Sequence, residues 1–137
     1  MSYAHDEGIQ RMMKKLIGVT LVSASMFAAN AMAAEEDCKN PVSQIAMNVC
    51  AGKDYQREDA TLNKLYKVLV AKLEKDRREK LKPIQVTWIK YRDLQCDFDS
   101  SNYDGGSMYP LVRSSCLARM TAQRNKELEA MLKEAFL

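Results

Sequence analysis

The sequence predicts an all-α protein: a bundle of three main helices with a short N-terminal helical segment, stapled by two disulfides. Three observations lead to this fold class. Apolar residues recur every three or four positions from about residue 44 onward, and no stretch alternates with a period of two. The chain has four cysteines, an even number, and all of them follow residue 37. One stretch rich in Asn, Asp, Ser and Gly interrupts the helical pattern near residues 99–110.

The N-terminal residues 1–33 are predicted to be a signal peptide. Two lysines precede a mostly apolar run from Leu16 to Phe27, and small residues lead up to Ala33, after which we expect cleavage. The alternative is an uncleaved membrane anchor, but the run is short and contains polar residues. Acidic residues directly before Cys38 do not fit a lipid-attachment site. We therefore expect export to the periplasm without lipidation, and one domain over residues 34–137.

The first helical elements follow Cys38. Ser43 can cap the amides of a helix that starts near Gln44. Gly52 allows a break, so this first segment is predicted to be short. A longer helix is predicted from about residue 54 to residue 76. Its apolar face consists of Tyr55, Leu62, Leu65, Tyr66, Leu69 and Leu73.

The second main helix carries the only tryptophan of the chain. A charged run over residues 74–80 predicts a turn near 76–80, because Pro83 is tolerated best within the first turn of a helix. The helix should end near Phe98. Its predicted core-facing residues are Leu81, Ile84, Trp88, Tyr91, Gln95 and Phe98. Arg92 falls on the border of that face and requires a carboxylate partner.

The last elements are a loop and a third main helix. The stretch Asp99–Pro110 has no helical or strand period, and Gly105 and Gly106 indicate backbone angles that other residues adopt with difficulty. The last helix is predicted from about Leu111 to Ala135. Its apolar face consists of Leu117, Met120, Leu128, Met131, Leu132 and Ala135, with Arg124 in the middle.

The cysteines are predicted to form two disulfides, because export places the chain in an oxidising compartment. Three pairings are possible, and we favour Cys38–Cys50 with Cys96–Cys116, since each joins residues that flank one local turn or loop. Closing the second loop, of about 20 residues, stabilises the fold by about 3 kcal/mol. A zinc site is the competing interpretation. It is disfavoured because the cysteines are widely spaced and residues 34–137 contain no histidine.

A polar cluster is predicted inside the bundle. Arg92, Arg124 and Asp59 project toward or beside the seam where the three main helices meet, and an unpaired charge there would be costly. We therefore expect Asp59 to accept a hydrogen bond from at least one of the arginines, with Asn63 completing the cluster. The plainer interpretation of such a cluster is architectural rather than functional.

The composition excludes several function classes. The net charge is only +3 and the two signs are mixed along the chain, which is not typical of nucleic-acid binding. Without a histidine beyond the predicted cleavage point, Ser-His-Asp and Cys-His nucleophile systems are excluded. A glycosidase needs only two carboxylates, but a narrow bundle has little room for a saccharide cleft. We expect no enzymatic activity, no metal, no cofactor and no nucleic-acid partner.

Several motifs span nearly the whole predicted domain. They combine Asp-x-x-Leu-Asn with Trp-Ile-x-Tyr-Arg-Asp and four cysteines. The residues that carry them are Cys38, Pro41, Val42, Ser43, Gln44, Met47, Asn48 and Cys50, then Asp59, Leu62, Asn63 and Tyr66, then Gln85, Trp88, Ile89, Tyr91, Arg92, Asp93 and Cys96, then Gly105, Gly106, Ser107, Cys116, Thr121 and Arg124. This succession resembles the LprI-like lysozyme-inhibitor family. The resemblance implies a small exported helical domain that binds a c-type lysozyme, although the namesake is a lipoprotein and this chain lacks the lipid-attachment pattern.

The candidate contact surface for such a partner is the loop held by the second disulfide. Exposed acids and aromatics on an adaptable loop suit a cationic lysozyme. The candidates are Asp97, Asp99, Tyr103, Asp104, Ser107 and Tyr109. The alternative for Asp104 is ordinary turn chemistry before two glycines. The sequence thus predicts a lysozyme inhibitor, with two alternatives: an envelope structural or maintenance factor that binds another protein, and a cell-wall sugar hydrolase.

Overall fold

The computed structural model describes residues 38–136 and confirms the predicted all-α bundle. Its three α-helices are, in chain order, α1 (Gln44–Lys72), α2 (Lys75–Ser100) and α3 (Tyr109–Glu134), with a short 3-10 helix at Ser101–Tyr103 between α2 and α3. Helix α3 packs closely against α1 and less closely against α2. No strand occurs over the described range. The predicted signal peptide and its cleavage site after Ala33 lie outside the described residues.

Helix α1 begins where the sequence predicts, but it is not preceded by a separate short segment. Ser43 has extended backbone angles, and its hydroxyl accepts a hydrogen bond from the Ala46 amide at 3.0 Å. The helix then continues without a break through Gly52, so the predicted break is wrong. A glycine costs a helix only about 1 kcal/mol, and burial of Cys50 and Ala51 just before it favours the continuous helix.

The junction between α1 and α2 lies earlier than predicted. It consists of two residues with extended ψ angles, Leu73 and Glu74, rather than a turn at 76–80. The charged run therefore forms the first turns of α2, and Pro83 lies inside the helix instead of in its first turn. Both Pro83 and Glu79 are exposed. Water can therefore hydrate the Glu79 carbonyl that lacks an amide partner, which makes the proline tolerable at this position.

Two clusters of buried residues form the core. The aliphatic cluster consists of Leu62, Leu69, Leu81 and Leu128. The disulfide cluster consists of Cys96, Cys116 and Leu117, with Tyr55 and Met120 packed against it. Both predicted disulfide pairs are confirmed: Cys38 is joined to Cys50 and Cys96 to Cys116.

The buried side of α2 differs from the predicted one. Gln85, Arg92 and Cys96 are buried, whereas Ile84, Tyr91 and Phe98 are more than half exposed. Cys96 must face Cys116 on α3, and this rotates the helix so that the residues four and eleven positions before it also point inward. The predicted apolar face is therefore displaced around the axis of α2 by about one residue from the face that is buried. Arg92 occupies the centre of the buried side rather than its border.

Candidate functional site

The connection between α2 and α3 is compact and regular. Gly105 has a φ of +72°, in the left-handed region that favours glycine. A Cβ added at Gly106 would lie 3.1 Å from the Tyr103 carbonyl oxygen, so a side chain there would crowd the turn. The Gly106 amide donates to that same carbonyl at 2.9 Å, and the Tyr109 amide donates to the Gly106 carbonyl at 3.2 Å. The two glycines therefore permit successive tight turns.

The loop is fixed to the bundle at both ends. The Cys96–Cys116 disulfide joins the helices on either side of it. On the other side, the Asn48 side-chain amide of α1 donates to the Ser107 carbonyl oxygen at 3.0 Å. Ser107 contributes its backbone to this contact, and its side chain does not cap α3, whose N-cap is Met108. The loop is therefore presented in a defined position relative to α1.

The three acidic candidates have different surroundings. Asp97 lies on α2 and accepts a hydrogen bond from Arg113 Nε at 2.7 Å, which raises the pKa of Arg113 above its ordinary value. Asp99 accepts from the Gln95 side-chain amide at 2.8 Å and lies 4.0 Å from Arg119 Nη2. Asp104 is exposed and forms no salt bridge within residues 38–136. Of the three carboxylates, that of Asp104 is therefore the one available to a binding partner.

The remaining candidates lie on the same end of the molecule. Tyr103 closes the 3-10 helix and is 39% exposed. Ser107 is exposed, and Tyr109, the first residue of α3, is half-buried. The structure therefore brings the six candidates to one end of the bundle, with Asp97 and Asp99 on the last turn of α2 rather than in the loop.

Arg92 forms a network between the three helices below this loop. It is only 4% exposed. Its Nη1 donates to Asp59 Oδ1 on α1 at 3.1 Å and to Thr121 Oγ1 on α3 at 3.2 Å, and its Nε donates to Asp93 Oδ1 at 2.9 Å. The Asn63 side-chain amide donates to the other Asp59 oxygen at 3.1 Å. The structure thus brings together three of the four residues of the predicted polar cluster.

The electrostatics of Arg92 are dominated by its partners. Burial on its own would lower the pKa of Arg92, but the hydrogen bond to Asp93 and the surrounding negative charge raise that pKa above its ordinary value. The guanidinium also lies over two rings, at 5.3 Å from the centroid of Tyr55 and 5.5 Å from that of Trp88. Arg92 is therefore permanently charged and joins one residue from each helix.

Within residues 38–136, Arg124 forms no hydrogen bond or salt bridge with Asp59 and has partners of its own. Its Nε donates to Gln85 Oε1 at 3.1 Å, its Nη1 pairs with Glu127 at 2.7 Å, and its guanidinium lies 5.7 Å from the centroid of the Trp88 ring. Two guanidinium groups, those of Arg92 and Arg124, therefore lie close to the Trp88 ring. Within the described range, Arg124 Nη2 is buried without a hydrogen-bond partner.

Sequence reasoning missed four buried polar residues: Gln85, Ser100, Thr121 and Asn125. The Asn125 side-chain amide donates to Glu58, to its carbonyl oxygen at 3.1 Å and to its carboxylate at 3.0 Å. The available signal was their spacing. Gln85 lies seven residues before Arg92, and Thr121 and Asn125 share a helical face with Leu128, so both faces could have been recognised as mixed rather than apolar.

Neither a metal site nor a membrane span was found in the part of the chain that the structure describes. Across residues 38–136, no group of three or more His, Cys, Asp or Glu residues is arranged to hold a metal ion. The helices within that range are not apolar enough over a sufficient length to cross a bilayer.

Comparisons with known proteins point to one family. A family model described as "Lysozyme inhibitor LprI" matches residues 34–128. An uncharacterized protein, R02472 of Rhizobium meliloti (strain 1021), is 39% identical over 120 residues, which cover 78% of this chain and 86% of the relative. No solved structure matches the chain significantly.

Proposed function

The chain belongs to the LprI family of lysozyme inhibitors, and on that premise we propose that it is an exported periplasmic protein that binds lysozyme and inhibits it without catalysis of its own. The family match carries the proposal, because it covers the three helices almost completely. In this proposal residues 1–33 are removed on export, and the oxidising compartment supplies the two disulfides.

The loop end of the bundle supports the proposal as the contact surface. Tyr103 and Asp104 are exposed next to each other, and the disulfide and the Asn48 contact hold the backbone around them. A preorganised loop loses little conformational entropy on binding. An exposed carboxylate beside an aromatic ring complements a cationic protein surface, because the charge steers association and the ring supplies buried area.

A turbidity assay tests inhibition directly. The oxidised protein, purified from the periplasm of an expressing cell, should slow the lysis of bacterial cell walls by a c-type lysozyme at near-stoichiometric ratios. No slowing with the protein in molar excess at about 10 μM, where an inhibitor of micromolar affinity would be mostly bound, favours an envelope factor with another partner. Lysis without added lysozyme favours a hydrolase. N-terminal sequencing of the same preparation should begin at Ala34.

A charge reversal tests the contact surface. Asp104→Lys should weaken inhibition by about tenfold or more if the loop contacts a cationic partner. Asp104 is preferable to Asp99, because Asp99 also bonds Gln95 and its replacement would disturb the helix end. The matched control is Glu79→Lys, an equal charge change on the exposed start of α2, about 32 Å along the helix from its last residue, Ser100. Equal inhibition by the two variants would remove the loop from the contact.

A further inference from the structure

Helix α2 carries an apolar stripe that the packing of the bundle leaves uncovered. We call it the outer stripe, and it consists of Ile84, Tyr91, Leu94 and Phe98, which are 54%, 55%, 59% and 75% exposed. Ile84, Tyr91 and Phe98 follow one another at intervals of seven residues, so they lie in one line along the helix. That line is about 21 Å long. Such a spacing is typical of a helix that packs against another helix.

The surface beside the outer stripe is concave. A shallow depression of about 420 Å³ is lined by Pro83, Ile84, Thr87, Trp88 and Tyr91. Its half-buried Trp88 ring has the buried guanidinium groups of Arg92 and Arg124 at 5.5 Å and 5.7 Å from its centroid. The depression is therefore a preformed hollow into which a side chain of a facing helix can insert.

The outer stripe is symmetric about its central residue. Ile84 precedes Tyr91 by seven positions, and Phe98 follows it by seven. If two such helices lie antiparallel with Tyr91 facing Tyr91, each Ile84 faces a Phe98 of the other copy. Both ends of the contact then contain the same pair of side chains, as a two-fold axis requires. A parallel arrangement would instead place Phe98 on Phe98.

The charges of α2 favour the antiparallel arrangement. Residues 75–82 contain five basic and two acidic side chains, whereas residues 97–104 contain three carboxylates and no basic side chain. None of the five basic residues forms a salt bridge within residues 38–136. Antiparallel pairing brings the basic start of one helix to the acidic end of the other, whereas parallel pairing brings like charges together.

One pair of residues shows this complementarity most directly. Lys80 lies four residues before Ile84, on the same side of the helix. In antiparallel register about Tyr91 it faces the 3-10 helix that follows α2 of the other copy, near Asn102 and Asp104. Asp97 and Asp99 already have arginine partners within the chain, while Asp104 is exposed and forms no salt bridge in the described part. Lys80 is thus one of the basic residues, and Asp104 the carboxylate of the three, that no salt bridge in the described part occupies and that are available for a contact between copies.

We propose that the outer stripe pairs with the outer stripe of a second copy of this chain, antiparallel, with a two-fold axis at Tyr91. The four side chains expose on the order of 100 Å² each, so each copy buries less than the roughly 800 Å² per partner of a standard stable interface. The dimer is therefore weak and its population depends on concentration. This inference does not depend on lysozyme inhibition.

Sedimentation equilibrium tests the pairing. In the oxidised protein expressed from the full-length sequence, the average mass should rise with concentration toward twice that of one chain. Tyr91→Lys places two like charges at the axis and should raise the dissociation constant by about tenfold or more. The matched control is Val86→Lys, which should leave dimerisation unchanged because Val86 is 61% exposed and lies about 140° round α2 from Tyr91. Circular dichroism of both variants checks that the fold is intact.

Cross-linking tests the direction. When Ile84→Cys and Phe98→Cys proteins are mixed under mild oxidation, the antiparallel pair gives the mixed disulfide, and neither variant links efficiently to itself. A charge swap is a second test of the direction. Lys80→Glu and Asp104→Lys should each weaken the dimer, and the double variant should dimerise again because the two charges are exchanged. Self-linking of each single variant overturns the antiparallel pairing.

A mass that stays at one chain at every concentration, or a dimer that tolerates Tyr91→Lys, overturns the proposal. If the chain is monomeric and Tyr91→Lys reduces lysozyme inhibition, the stripe is a lysozyme contact instead.

Discussion

The two ends of the bundle are held together by different forces. At the aliphatic end, four leucines from all three helices, Leu62, Leu69, Leu81 and Leu128, are at most 6% exposed and pack on one another. At the disulfide end, the buried apolar cluster consists of two bonded cysteines and Leu117. There the helices are joined by the Cys96–Cys116 bond and by the hydrogen bonds of Arg92.

The two ends differ in how precisely their interactions fix the positions of the helices. Apolar packing is non-directional, and its free energy scales with buried area, so leucines hold helices together without fixing one precise arrangement. A disulfide and a charged hydrogen-bond network fix distances and angles. They lie at the end that carries the loop with Tyr103 and Asp104. The disulfide end therefore has less buried apolar area than the aliphatic end, but its bonds hold the candidate contact surface in a defined geometry.

The largest expected effect is at the aliphatic end. Leu69→Ala should lower the free energy of unfolding by about 4 kcal/mol, because Leu69 is completely buried and its loss leaves a cavity. Urea denaturation of the oxidised protein measures this. The control is Val68→Ala on the neighbouring residue, which is 37% exposed and should cost less than about 1 kcal/mol. Equal losses for the two variants would mean that the leucine cluster is loosely packed.

Arg92→Ala should lower the free energy of unfolding by about 3 kcal/mol. The variant leaves Asp59 and Asp93 without their shared cation and Thr121 without its donor. The loss lies at the low end for a buried pair, because the side chains of Asp59 and Asp93 are 36% and 43% exposed and water can hydrate them.

The control for Arg92→Ala is Arg119→Ala, whose side chain is 71% exposed. It should change the free energy of unfolding by less than about 0.5 kcal/mol. A loss below about 1 kcal/mol for Arg92→Ala would show that the disulfide end is held by its covalent bond alone. The difference between the two ends would then depend on the Cys96–Cys116 disulfide alone.

Removal of the Cys96–Cys116 disulfide should cost at most about 3 kcal/mol, because the bond mainly restricts the unfolded chain and that chain retains some structure. The double variant Cys96→Ala, Cys116→Ala, compared with the parent protein by thermal unfolding, measures the loss. Hydrogen exchange should locate the increased opening in the loop and the adjoining helix ends rather than near Leu69. A uniform increase along all three helices would contradict the division into two ends.

The aliphatic end could be predicted from the sequence, whereas the disulfide end could be predicted only in part. The leucines at positions 62, 69 and 128 fall on the faces that helical spacing predicts, because each lies among other apolar residues. On α2 the same procedure correctly predicts that Leu81 is buried, but it fails at three other positions. It groups Ile84, Tyr91 and Phe98 as core, since hydrophobicity alone cannot distinguish a face that packs inside one chain from a face left outside it.

The candidate site shows a similar division. The left-handed angle at Gly105 follows from local chemistry and could be predicted. The pairing of Asp59 with Arg92 also follows, because a charge at a helix seam needs a partner. The partners of Arg124 do not follow from the sequence. Their identity depends on the rotation of α2 that the Cys96–Cys116 bond imposes, and that rotation brings Gln85 rather than Asp59 to Arg124.

The smallest expected effect isolates one hydrogen bond of the Arg92 network. Thr121→Val removes the hydroxyl that accepts from Arg92 Nη1 at 3.2 Å and should cost about 1 kcal/mol, because Thr121 is fully buried and no water can replace it. In the Arg92→Ala background the same change should cost nothing, since the hydroxyl has already lost its donor.

A double-mutant cycle of these two residues by urea denaturation should therefore give a coupling of about 1 kcal/mol. The control is Thr61→Val, whose hydroxyl donates only to the Arg57 carbonyl of its own helix and should be close to neutral in both backgrounds. Additive losses for Thr121 and Arg92 would mean that α3 is joined to this network by packing alone. In that case the disulfide end would be positioned by the same non-directional force as the aliphatic end, and its geometry would depend on the Cys96–Cys116 bond.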